Sequence, residues 1–347
     1  MRDPGVVGQN VETCAGIVLS RFGEPVSVAE VGRVSRGVVG EGDVLVRVEY
    51  APINPADLNV LEGRYGVLPP LPAVPGTEGV GSVLESRFDG LRAGQRVLLP
   101  AGFGSWRECG VARGAELVRV LEGVDLMQAS MLRINPATAW CLLREFESLR
   151  PGDWIVQNAS NSGVGRAVIQ IARLKGLRTI NVVRRAGLAQ ELEKIGADVV
   201  LGEGAGLASR IGEAAGGAAV RLGLNAVGGE CALEMAKALA ESGTLVTYGA
   251  MGRQPLRVPN GLLIFKNIRF CGFWVSRWYR EAAAKTVGEM FEELFRWSAQ
   301  GCLNVPVAAV YPLEHVREAI EHSRRDFRDG KVLLKPCGMG NDRGHTA

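Results

Sequence analysis

Histidine is nearly absent from this chain. Its 347 residues hold three, His315, His322 and His345, all towards the C-terminus, so nothing earlier can supply an imidazole as base or metal ligand. Cysteine is scattered: Cys14, Cys109, Cys141, Cys231, Cys271, Cys302 and Cys337 are odd in number, and no two stand at a C-x-x-C spacing. Reduced thiols are expected, and a disulfide-stapled module is excluded. No run approaches the roughly 18 consecutive apolar residues of a membrane span, and Met1 to Ser20 lacks a basic start followed by an apolar stretch. A cytoplasmic setting without a membrane span is the expectation. A charge imbalance is missing too: 40 basic and 37 acidic residues leave +3, so charge points to no nucleic-acid or anionic-membrane partner.

What is present reads as an ordinary globular chain, 47% apolar and 22% charged, long enough for about two domains. From Ala15 to about Arg119 short strands alternate with turns, as in Asp43-Val-Leu-Val-Arg-Val-Glu49, and prolines at 52, 55, 69, 70, 72 and 75 disfavour long helices. Helical patterning over 127–149, interrupted at Asn135-Pro136, closes at Pro151-Gly152. Strand, small-residue turn, helix and strand then follow over 153–183, with further apolar strands expected at 198–201, 221–225, 244–248 and 268–274. This βαβ grammar implies a doubly wound parallel sheet. A helix over 281–299 and a strand–helix–strand group over 305–334 complete the pattern, and the group is too short to stand alone.

The turn Asn158-Ala-Ser-Asn-Ser-Gly-Val-Gly165 lies where such a sheet places its first strand-to-helix connection. Small residues there let the backbone approach a pyrophosphate while the helix start offers free N–H groups. The strict G-x-G-x-x-G string is absent: Ser160 and Ser162 hold its first two glycine positions and Gly165 the third. A ligand-free capping turn is the alternative. The next strand ends Val183-Arg184-Arg185, where NAD enzymes place Asp or Glu and a 2′-phosphate calls for Arg. Two guanidiniums favour NADPH; a solvated basic turn is the alternative.

Together the segments Ile53-Asn-Pro-Ala-Asp57, Gly63-Arg-Tyr-Gly66, Pro75-Gly-Thr-Glu-Gly79, Ile134-Asn-Pro-Ala-Thr-Ala139, Gln157 to Gly165, Thr179-Ile-Asn-Val-Val-Arg184, Val246-Thr-Tyr-Gly249, Leu263-Ile-Phe-Lys266 and Gly272-Phe-Trp274 carry a resemblance. From about Ala15 to Pro336 the chain resembles the medium-chain dehydrogenase/reductase superfamily, and within it the mitochondrial-type trans-2-enoyl-thioester reductases. The implied fold is α/β: a GroES-like β-rich catalytic domain from 12–138 and 275–337, a Rossmann doubly wound parallel-sheet domain from 139–274, and a tail over 338–347. The resemblance also implies a homodimer joined through Rossmann edge strands. Zinc-dependent relatives carry a His just before the Glu of Pro-Gly-x-Glu-Gly; here that position is Thr77, which places the chain with the metal-free branch.

The implied reaction is NADPH-dependent reduction of enoyl-CoA or enoyl-acyl-carrier-protein in acyl-chain synthesis, with hydride to Cβ and a proton to Cα. Tyr65 matches the family's catalytic tyrosine, and an ordinary phenol keeps its proton at neutral pH while able to donate it. Family cofactor contacts map onto Asn135; Asn161, Ser162, Gly163, Val164 and Gly165; Arg184 and Arg185; Tyr248, Gly249, Ala250 and Met251; Phe273, Trp274 and Val275; and Lys331. Trp274 walls off the acyl site or simply packs, and Lys331 reaches cofactor or substrate or is an exposed turn lysine. Arg277, Arg280, Arg324, Arg325 and Arg328 suit a phosphate-bearing carrier or form solvated helix faces. A quinone or general enone reductase of the same superfamily, and a non-catalytic NADPH-binding protein, are the competing functions.

Overall fold

Nearly continuous burial along Asp43–Pro52, with Arg47 turned outward, makes this strand the spine of an antiparallel sheet. It pairs with Val80–Ser86 on one side and Cys109–Arg113 on the other, and near its end Pro52 and Ala51 pair with Leu333 and Leu334 of Lys331–Lys335. Val307–Pro312 runs parallel to that last strand. The chain's C-terminal strands thereby complete a sheet begun near its start. Val44, Val46 and Val48 share one core with Val83, Leu99, Trp106, Ile320 and Leu334. The computed structural model describes residues 12–184, 186–325 and 329–337. Arg185, Arg328 and the expected tail lie outside the described residues.

The chain divides into two units, one of Met1–Arg133 with Pro306–Ala347 and one of Ile134–Val305. In the second, six strands form one parallel sheet: β1 (Trp154–Gln157), β2 (Arg178–Val183), β3 (Val199–Gly202), β4 (Val220–Asn225), β5 (Thr244–Thr247) and β6 (Arg269–Gly272). Their spatial order, 3-2-1-4-5-6, is that of a dinucleotide-binding sheet. β1 is buried at every residue and β2 at all but its first, as covered sheet faces require. The expected α/β class and doubly wound sheet are therefore present.

The division differs from the boundaries expected from sequence. Residues 134–138 and 275–305 belong with the parallel sheet. The packing shows why: Trp140 Nε1, on the buried helix Asn135–Leu142, donates to Glu293 Oε2 of Ala284–Ala299 at 2.6 Å. Trp278 meets Trp140 edge-on at 6.0 Å, and Gln170 exchanges two hydrogen bonds with the backbone of Asn304. The helix expected over 281–299 is Ala284–Ala299, and a separate helix, Val275–Glu281, precedes it. No helix of the described residues is long and apolar enough to cross a membrane.

Candidate functional site

The order of the parallel sheet reverses between β1 and β4, and such a switch point opens a crevice at the carboxyl ends of the strands. The loops leaving β1, β4 and β5 are tied together there by buried amides. Asn158 Oδ1 accepts the N–H of Ala226 at 2.7 Å and its Nδ2 donates to Asn225 Oδ1 at 2.8 Å. Asn225 Oδ1 also accepts the N–H groups of Val227 and Gly228, and its Nδ2 donates to Thr247 Oγ1 at 3.1 Å. Gln157 Nε2 bridges Asn181 Oδ1 and the carbonyl of Gly165. Gln157, Asn158, Asn181 and Asn225 are each 0% exposed, so these bonds fix the turn's base rather than decorate its surface. Sequence reasoning missed all four; the available signal was an amide ending or interrupting an apolar strand.

The expected phosphate turn sits on this base. Ser162 caps the helix Gly163–Leu174, its Oγ accepting the N–H of Gly165 at 3.1 Å, while Gly163 opens the helix and Val164 is buried in its first turn. A Cβ on Gly165 would lie 2.6 Å from both Cα and O of Ser160, so helix and turn approach as closely as this residue allows. After β5, Tyr248 donates its N–H to Asn225 O, Gly249 packs over Ala226, Ala250 is exposed and Met251 donates its N–H to Ala226 O. The Tyr248 hydroxyl is shielded from solvent, and burial raises its phenol above the usual range against an opposing interaction with the Ser162 side chain. A helix start rimmed by small residues, the nearby Tyr248 hydroxyl and an exposed Arg184 after β2 fit a phosphorylated dinucleotide such as NADPH.

Asn135 opens the buried helix Asn135–Leu142 of the same unit. Phe273 stands edge-on to Phe146 at 5.9 Å, Trp274 precedes the helix opened by Val275, and Arg280 lies over the Trp274 ring at 5.2 Å. Lys331 belongs to the other unit and is not an exposed turn lysine. Buried, its ammonium donates to Asn54 Oδ1. Of the basic residues suggested for a carrier entrance, Arg277 faces Glu281, Arg280 donates to the Ser276 carbonyl, and Arg324 pairs with Glu24. Arg277 and Arg280 lie in one unit, Arg324 and Arg325 in the other.

Tyr65 lies in the β-rich unit, half-buried in the turn after Pro55–Leu61. Gly63, at φ +71, lets the chain reverse there, and Arg64 donates its N–H to Asn59 O. The helix is anchored at its other end by buried polar groups. Asp57 accepts the N–H of Asn54 at 2.7 Å and of Thr77 at 2.9 Å, and Asn54 Nδ2 donates to Glu78 Oε1 at 2.8 Å. Pro75-Gly-Thr-Glu-Gly79, Lys331 and the helix carrying the chain towards Tyr65 are thereby joined.

Burial pushes the Asp57 carboxyl up to about 6 from 3.8, against the two backbone N–H bonds and the charge of Lys331. A raised folded-state value contributes stability fully present below the unfolded value and lost as pH rises through the folded one. Unfolding by urea should therefore show wild-type stability falling relative to Asp57→Asn between about pH 4 and pH 6, by on the order of 3 kcal/mol. Parallel stability profiles for the two proteins would reject this.

Zinc does not fit the side chains at the corresponding position. Thr77 precedes Glu78, His315 pairs with Glu318, and His322 bonds Tyr311 at 3.0 Å. Among the described residues no group of three or more His, Cys, Asp or Glu can hold a metal ion.

Residues 40–124 match the alcohol dehydrogenase GroES-like domain family, and residues 163–293 the zinc-binding dehydrogenase family. The mitochondrial enoyl-[acyl-carrier-protein] reductase of Xenopus tropicalis is 41% identical over 330 residues, spanning 92% of this chain and 94% of that protein. Two solved structures cover 94% of this chain over 100% of their own: a putative NADPH:quinone reductase from Bacillus thuringiensis, with TM-score 0.87 and 27% identity, and the Etr1p/NADP/crotonyl-CoA complex, with TM-score 0.85 and 26% identity. On the strength of that near-full-length identity, the chain belongs to the enoyl-[acyl-carrier-protein] reductase family of the medium-chain dehydrogenase/reductase superfamily.

Proposed function

We propose that this protein reduces trans-2-enoyl thioesters, carried on CoA or an acyl-carrier protein, to saturated acyl thioesters with NADPH. The observation that carries the reading is the match along nearly the whole chain to an enoyl-[acyl-carrier-protein] reductase. Bound NADPH supplies the hydride that the substrate accepts at Cβ. Negative charge then gathers on the thioester oxygen and Cα requires a proton. Tyr65 is the residue to meet that demand, as proton donor to Cα or hydrogen-bond partner of the enolate oxygen. Beside it Val67 and Leu68 are exposed apolar side chains suited to an acyl chain. In the other unit, Asn135 and Tyr248 offer neutral hydrogen bonds, the 161–165 turn holds pyrophosphate, Arg184 meets the 2′-phosphate, and Trp274 excludes water.

The finer reading is metal-independent chemistry in fatty-acid or related acyl-chain synthesis by a homodimer. Thr77 and the lack of a metal-ligating side-chain group among the described residues support the first. The dimer is supported by β6, an edge strand, and by Ile264 and Phe265 just before it, 69% and 85% exposed. Sedimentation should give about twice the 37.0 kDa chain mass, and a monomer at working concentration would exclude the dimer. The likeness to a putative quinone reductase supports the runner-up function. A panel of NADPH with crotonyl-CoA, longer enoyl thioesters, quinones and enones decides. Preferential thioester reduction is expected; reduction of quinones alone would favour the runner-up, and no NADPH consumption a non-catalytic role.

A further inference from the structure

Arg166 is the fourth residue of the helix Gly163–Leu174, yet it is only 9% exposed. A buried cation in the first turn of a helix is opposed twice, by desolvation and by the positive end of the helix dipole. Two contacts compensate. Nε donates to the carbonyl of Asn161 at 3.3 Å, and the guanidinium pairs with Glu191. Asn161 lies in the turn after β1, whereas Glu191 belongs to the helix Ala189–Lys194 that follows β2 and Arg184. One planar cation thus ties the turn placed to receive pyrophosphate to the segment carrying the arginine placed to receive a 2′-phosphate.

We propose that the Arg166–Glu191 pair positions Arg184 against the phosphate turn and thereby sets the preference for NADPH over NADH. The inference rests on the NADPH reading above. Arg184 is exposed at the end of β2, so its contact with a 2′-phosphate depends on how the backbone that carries it is held. A segment held to the turn in advance has less freedom to lose. NADH lacks the phosphate and gains little from this ordering, so loss of the pair acts on discrimination rather than on both coenzymes equally.

The test compares kcat/KM for NADPH and for NADH, with crotonyl-CoA as acceptor, in wild type, Arg166→Gln, Glu191→Gln, the double variant and Arg184→Ala. Each single change in the pair should lower the NADPH-to-NADH ratio by about tenfold, through KM for NADPH. The double variant should be no worse than the more affected single, because either change removes the same tie. Glu191 is half-exposed, so Glu191→Gln tests the idea in a folded protein even if Arg166→Gln is unstable. Equal losses with both coenzymes would reduce the pair to a structural brace and overturn the proposal. An unchanged ratio alongside a lowered one in Arg184→Ala would overturn it as well. If Arg184→Ala keeps the ratio, the assignment of Arg184 to the 2′-phosphate falls and the positioning role falls with it.

Discussion

Tyr65→Phe is expected to lower kcat for enoyl thioesters by about 10²- to 10⁴-fold, the range over which a positioned proton donor accelerates a reaction. The change deletes one hydroxyl and keeps the ring, so the half-buried aromatic retains its packing in the turn after Pro55–Leu61. Its loss acts where charge develops, on the thioester oxygen and Cα, and so falls on turnover more than on ground-state binding. The affinity for NADPH should stay within about twofold, because the phosphate turn, Arg184 and Tyr248 are untouched. Single-turnover kinetics with crotonyl-CoA separate the two effects. A wild-type rate in Tyr65→Phe would remove this residue from the chemistry.

A single methyl should damage the cofactor site almost as severely. In Gly165→Ala the new Cβ would stand 2.6 Å from Ser160 Cα and O and 2.7 Å from Ala159 O, all backbone atoms that cannot swing aside. The turn must move, and it is held from below by Gln157 to the Gly165 carbonyl and by Ser160 Oγ to the Val182 carbonyl. Overpacking of this kind costs about 1–3 kcal/mol of stability. Displacing the N–H groups proposed to receive the pyrophosphate should weaken NADPH binding by about 10²-fold, equivalent to about 3 kcal/mol. Titration of NADPH by fluorescence, with a melting curve on the same sample, reads both. An unchanged dissociation constant would mean that the turn is not the cofactor's phosphate cradle.

Those two positions were legible in the sequence for different reasons. Gly165 follows from local pattern, since a strand, a small-residue turn and an amphipathic helix form one contiguous motif. Tyr65 does not: a tyrosine between glycines has no chemical signature of its own, and only its resemblance to a family string singles it out. The parallel strands were legible because sheets covered on both faces leave nearly continuous apolar runs. The supports beneath the site were not. Asn158 reads as the start of a turn and Asn225 as a strand end, and their hydrogen bond joins residues 67 positions apart. Lys331 after a glycine reads as a cofactor or substrate contact or as a turn lysine, while its buried partner Asn54 lies 277 residues away. The units divide elsewhere than the expected boundary for the same reason, because a helical pattern over 281–299 fixes an apolar face but not the surface it meets. Trp140 and Glu293, 153 positions apart, supply that answer.

In the proposed reaction electrons pass from NADPH to the β-carbon of a thioester-activated alkene, and the proton arrives at Cα. The most direct measurement is isotopic: the protein is incubated with crotonyl-CoA and NADPH deuterated on the transferable C4 position, and the label is located in butyryl-CoA by NMR. Deuterium at Cβ, with solvent hydrogen at Cα, is the expected result. NADPH oxidised only by quinones, with crotonyl-CoA recovered unchanged, would contradict it.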